Sequence, residues 1–65
     1  MNRKLKGRII ECFGSQHQFA RYIDEHEAVV SKVVRNKREL DARQRERWAA
    51  ALGVDDPNRL FAQQG

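Results

Sequence analysis

Residues 15–38 read SQHQFARYIDEHEAVVSKVVRNKR, and this stretch decides the fold. Phe19, Ala20 and Ile23 recur on one face of a short helix spanning about Gln16 to Ile23. Ser15 is a good N-cap for it, and Gln18, three residues on, completes a capping box. A second helix is predicted from about Glu27 to Asn36, because Val30, Val33 and Val34 follow the i, i+3, i+4 pattern. The β-branched run Val29-Val30-Ser31-Lys32-Val33-Val34 also suits a strand, but a lone strand would have no partner here. Between the helices, Asp24 tolerates a positive φ better than most residues do. His26 is a poor cap, so the start of the second helix is weakly specified. Ala20 falls where the helices would cross, and Ile23, Val30 and Val33 supply a shared core. A helix-turn-helix over residues 16–36 needs this spacing, which anchors the second helix by its back and leaves its front free.

The flanks extend the pattern. Leu5, Ile9, Ile10 and Phe13 fall on one face of an opening helix that Gly14 would end in the left-handed conformation. Cys12 is expected as a small buried residue on that helix. Asn36-Lys37-Arg38-Glu39 forms a polar connection, after which Asp41 caps a fourth helix with Gln44 at the capping-box position. Trp48, Ala49, Ala51 and Leu52 make its apolar face, and Gly53 ends it. Arg45 lies on the extension of that face, where its stem could snorkel or its charge could pair with Glu39 or Glu46. Asp56-Pro57 opens a last short helix carrying Leu60 and Phe61, and Gln63-Gln64-Gly65 is expected to fray. Repeats, linkers and low-complexity segments are absent, so the expectation is one all-α domain of five helices over residues 1–65.

A chain of 65 residues buries only about 60% of its unfolded surface, so it is marginal alone or gains stability from a partner. The single Cys12 cannot close an internal disulfide. Neither a signal-peptide pattern nor an apolar run of about 20 residues is present, which places the protein in the cytoplasm. A catalytic site needs convergent groups in a pocket, and Cys12, His17 and His26 offer no such set. They also lack the paired spacing of zinc ligands, so neither a metal nor a cofactor is expected.

The net charge of +4 favours a polyanionic partner. Arg3, Lys4, Lys6 and Arg8 crowd the N-terminus, while Lys32, Arg35, Lys37, Arg38, Arg43, Arg45 and Arg47 crowd the second half. A charge run is often just a solvated face, but the 32–47 cluster follows the paired helices where phosphates would lie. Asp24, Glu25 and Glu27 form an acidic knot at the start of the second of those helices.

Gln16, Phe19-Ala20, Ile23, Val30, Val33 and Arg35-Asn36-Lys37-Arg38 run without a gap alongside the phage Cro and repressor type helix-turn-helix, which this chain resembles. Ala51-Leu52-Gly53-Val54 and Arg59-Leu60-Phe61 resemble the close of that domain. The opening Lys4-Leu5-Lys6-Gly7-Arg8-Ile9-Ile10 through Phe13-Gly14-Ser15-Gln16 is similar to a small phage-type subgroup, so the likeness covers nearly the whole chain. Asp24 stands where the family has glycine, His26 where it has a hydroxyl cap, and Arg45 and Glu46 make the fourth helix more polar.

The resemblance implies a lambda-repressor-like fold and a homodimer on the major groove of palindromic operator double-stranded DNA, acting as a transcriptional repressor by blocking polymerase. No small-molecule effector is expected. The family geometry puts Glu27, Ala28 and Lys32 nearest the base edges, with His26 and Ser31 on the flank. Lys32 would donate to guanine, Ala28 would meet a thymine methyl, and Glu27 would accept from cytosine. A carboxylate in a first helical turn is also favourable through the dipole alone. Gln16 resembles the family's phosphate-clamping glutamine, while Arg35, Asn36, Lys37 and Arg38 would touch the DNA backbone. Arg43 and Arg47 would add charge, and Arg3, Lys4 and Lys6 could form an arm or stay solvated. Val54, Leu60 and Phe61 would either join a dimer or close the monomer core. Two other readings share the fold: a protein-interaction module, such as an antitoxin or anti-repressor partner, and a non-specific architectural DNA binder.

Overall fold

The computed structural model describes residues 1–61; the expected fraying of Gln63-Gln64-Gly65 lies outside them. Five helices follow in order: α1 (Arg3–Phe13), α2 (Gln16–Tyr22), α3 (Glu27–Val34), α4 (Ala42–Ala51) and α5 (Asn58–Phe61). Among the described residues there is no strand, so the valine-rich segment resolves as helix. Its buried face is Val30, Val33 and Val34, the spacing the sequence offered.

Aromatic rings thread the core. Phe19 of α2 is wholly buried and meets Trp48 of α4 edge to face at 5.2 Å. Trp48 in turn packs on Phe61 of α5 at 6.5 Å, and Phe13 of α1 leans on Phe19 at 5.2 Å. Rings offset in this way add about 0.5–1.5 kcal/mol per pair beyond their buried area. Leu5, Ile9, Leu40, Ala49 and Leu52 fill the remaining space. Leu40, in the connection before α4, is a core residue that no helical periodicity marks.

Two α1 expectations fail. Ile10 is exposed and Cys12 is exposed, because the buried stripe runs Leu5–Ile9–Phe13 at i, i+4, i+8. One residue to either side of the stripe, the side chain is turned about 100° around the axis, out of the core. Leu60 and Phe61, weighed above as dimer contacts, are each 4% exposed and belong to the monomer core.

The helix ends share a chemistry. The last carbonyls of an α-helix have no partner within the helix. Asp24, Asn36 and Gly53 follow α2, α3 and α4 at φ 58, 60 and 70. Each donates its own N–H to one of those carbonyls and turns the next N–H onto another. Glu25 N thereby reaches Ala20 O at 2.8 Å, Lys37 N reaches Lys32 O at 2.8 Å, and Val54 N reaches Ala49 O at 2.9 Å. Gly14, at φ 85, closes α1 onto Ile10 O. At Asn36 this closure ends α3 at Val34, shorter than the helix to Asn36 that the sequence suggested.

The starts are capped less evenly. Asp41 and Gln44 make the full capping box of α4. Ser15 accepts from Gln18 N, but only that half of the expected box forms at α2. Asp56 Oδ1 accepts from Asn58 N, so Asp56-Pro57 does introduce α5. Arg45 makes neither ion pair weighed for it; it is half-buried, and its Nε is enclosed without a hydrogen-bond partner.

The chain start is pinned by Asn2, the one buried polar residue among the described residues. Its Oδ1 accepts from Leu5 N as the cap of α1, and its Nδ2 donates to Leu60 O at 2.6 Å. Its backbone N–H donates to Val34 O at 2.7 Å. Three helices thus meet at one residue.

Asn2→Ala should remove both a cap and the donor to a buried carbonyl, lowering unfolding stability by about 2–4 kcal/mol. Urea denaturation measures this, and a loss under about 1 kcal/mol would show that water replaces the side chain. Asp24→Gly should instead raise stability by about 0.5–1 kcal/mol, since glycine adopts positive φ without a Cβ conflict.

Candidate nucleic-acid interface

The candidate surface is built on α2, α3 and the segment after them. Phe19, Ala20 and Ile23 hold α2 and its turn against the core. The C-cap carbonyl of that turn, Ile23 O, accepts from Arg47 Nη2 of α4 at 2.7 Å. A cation at a helix C-terminus also complements the helix dipole. Arg47, expected among the cations of the outer surface, is therefore committed to positioning the α2–α3 turn.

His26 precedes α3 without any side-chain cap bond, as a poor cap should. Its own N–H is taken by Glu25 Oε1 at 3.1 Å. Glu27, the first residue of α3, lies 3.5 Å from His17 Nδ1 of α2. Both side chains are 58% exposed, so solvent screens the pair and its worth is small. Two of the three acids in the knot are thus engaged with neighbours inside this unit.

The front of α3 is exposed where its back is buried. Glu27, Ala28 and Lys32 are exposed, Ser31 is half-buried, and His26 is exposed just before the helix. The pairs Glu27–Ser31 and Ala28–Lys32 are four residues apart, so they stack on one face. Four of the five residues expected at base edges therefore lie together on α3, with His26 just before its start. Lys32 forms no ion pair among the described residues.

Beyond α3, Arg35, Asn36, Lys37 and Arg38 are all exposed. The left-handed Asn36 and the Lys37 N to Lys32 O bond fold this segment back onto the helix end. Gln16 stands half-buried at the first position of α2, and Arg43 is exposed on α4. The basic N-terminus is not an arm: Arg3, Lys4 and Lys6 lie in α1, behind the buried Asn2. Val54 is half-buried on the turn after α4, so it retains surface that Leu60 and Phe61 lack.

Among the described residues no three His, Cys, Asp or Glu side chains gather as metal ligands would. None of the helices among those residues is long and apolar enough to cross a membrane.

Sequence reasoning missed Arg47 and Glu25. Glu25 lies next to the group it serves, so an acid before a poor cap was a usable signal. Arg47 and Ile23 are 24 residues apart, and no pattern links them. Compared with protein-family models, curated proteins and solved structures, the chain matches none.

Arg47→Ala should leave Ile23 O without its charged donor and cost about 1 kcal/mol, because solvent screens the exposed part of the guanidinium. Hydrogen exchange should accelerate first at the Asp24 and Glu25 amides, which close the turn. Uniform acceleration across all helices would show that Arg47 holds the whole fold instead.

Proposed function

We propose that this is a lambda-repressor-like domain of the Cro and repressor type, which binds operator DNA through α3 and regulates transcription. The carrying observation is the asymmetry of α3. Val30, Val33 and Val34 are buried, while the opposite face presents Glu27, Ala28 and Lys32 and leads into the exposed Arg35, Lys37 and Arg38.

In this reading α3 enters the major groove. Lys32 donates to guanine O6 or N7, and Ala28 meets a thymine methyl. Glu27 can accept from a cytosine amino group, or its carboxylate stays with His17 and favours the helix start through the dipole. Arg35, Asn36, Lys37 and Arg38 grip phosphates and set register, with Gln16 on the strand facing α2. Occupancy would repress by excluding polymerase. A monomer reads only a short half-site, so two copies on a palindrome provide useful specificity. With Leu60 and Phe61 inside the core, their contact would be made around Val54 or only on DNA.

One alternative is a protein-binding module using Asp24, Glu25 and Glu27. Glu25 and Glu27 already serve His26 N and His17, which supports the DNA reading. A non-specific architectural binder would use the same cations without base preference.

Selection of bound duplexes from a random pool near physiological salt tests this. The expected result is an enriched palindrome with half-site centres about one helical turn apart. Recovery without enrichment would favour the architectural reading, and no recovery would favour a protein partner. On the selected site, Lys32→Ala should cost about 1–3 kcal/mol and relax base preference. Lys37→Ala should weaken all sequences alike and flatten the salt slope by about one unit.

A further inference from the structure

A second group of cations lines a cleft to which α3 contributes no residue. This cleft of about 580 Å³ runs between α1, the turn after α4 and α5. Arg3, Lys4 and Arg8 line it from α1, and Arg59 lines it from α5. Arg8 is committed: its Nε donates to Leu52 O at 2.8 Å and its Nη1 pairs with Glu11 at 2.8 Å. Arg3, Lys4 and Arg59 have no ion-pair partner among the described residues. The cleft therefore holds three uncompensated cations beside one satisfied pair.

Gly7 marks the same place independently. It lies in the interior of α1, where glycine weakens a helix relative to alanine. No left-handed conformation requires it, since the positive-φ glycines are Gly14 and Gly53. No packing requires it either, because a Cβ there would meet no atom within 4 Å. The fold gives no reason for the glycine, whereas a ligand approaching the α1 backbone does.

We propose that this cleft binds an acidic peptide segment of a partner protein, in which carboxylates alternate with an aliphatic side chain. The carboxylates face Arg3, Lys4 and Arg59, and the aliphatic group rests on the half-buried Val54 beside Leu60. The chain of the peptide passes over Gly7. A duplex fits this site less well, because a rigid convex backbone is met by protruding side chains, whereas extended chain can enter a groove. This inference does not depend on the DNA-binding reading.

The probe is a fluorescein-labelled peptide of alternating Asp and Leu, titrated into the full chain and followed by anisotropy. Saturable binding is expected, with amide shifts at Gly7, Gly53 and Arg59. Gly7→Ala should raise the melting temperature and weaken the peptide, and Arg59→Glu should weaken it by about tenfold. Unchanged peptide affinity in a stabilised Gly7→Ala protein would overturn the proposal. So would equal affinity for an all-Asp peptide, which would reveal charge attraction without the groove. Displacement of the peptide by a random duplex, with the same three amides shifting, would assign the cleft to nucleic acid instead.

Discussion

Everything in this fold leans on the satisfaction of helix-end carbonyls by groups from elsewhere in the chain. Asn2 is the centre of that arrangement, with one side chain capping α1 and bonding α5 while its backbone bonds the end of α3. Arg8 of α1 serves Leu52 O at the end of α4, and Arg47 of α4 serves Ile23 O at the end of α2. The reason is length. α2 has 7 residues and α3 has 8, so a large share of their backbone groups are terminal. Helices this short are not stable alone in water. Their ends must be closed by tertiary contacts, and the closures double as ties between helices.

The same ties shape the candidate surface. α3 has a buried back, a weakly capped start and a tightly closed end. Arg47 sets the turn that leads into it. Glu25 and Glu27 are drawn toward His26 N and His17, while Lys32 and the basic residues after α3 face solvent. The basic excess of the sequence is thus divided. Arg8 and Arg47 are structural, those after α3 are exposed to solvent, and those at the α1–α5 cleft surround a glycine that the fold does not need.

Much of this was legible in the sequence because it is local. Helical periodicity placed Phe19, Ala20, Val30, Val33, Trp48 and Leu52 in the core. Asp41-Gln44, Gly14, Gly53 and the tolerance of Asp24 for positive φ set boundaries through interactions spanning only a few residues. Of the residues considered for base contact, Glu27, Ala28 and Lys32 are exposed on α3, Ser31 is half-buried and His26 precedes the helix. Asn36 was harder to read, because an asparagine at the end of a valine-rich helix can extend the helix or stop it. Ile10 and Cys12 were misassigned because an apolar residue next to a stripe resembles one within it.

The sequence by itself determined which segments are helices, roughly where they stop, and which face of α3 is left outside. Tertiary structure alone decided that Asn2 is buried, that Arg47 is a brace rather than a surface charge, and that Leu60 and Phe61 complete the core. The Asn2–Leu60 bond joins positions 58 apart and the Arg47–Ile23 bond positions 24 apart. Periodicity carries information over a helical turn or two. A polar side chain's partner across the fold depends on how the helices assemble, and that assembly is fixed only when all five pack together.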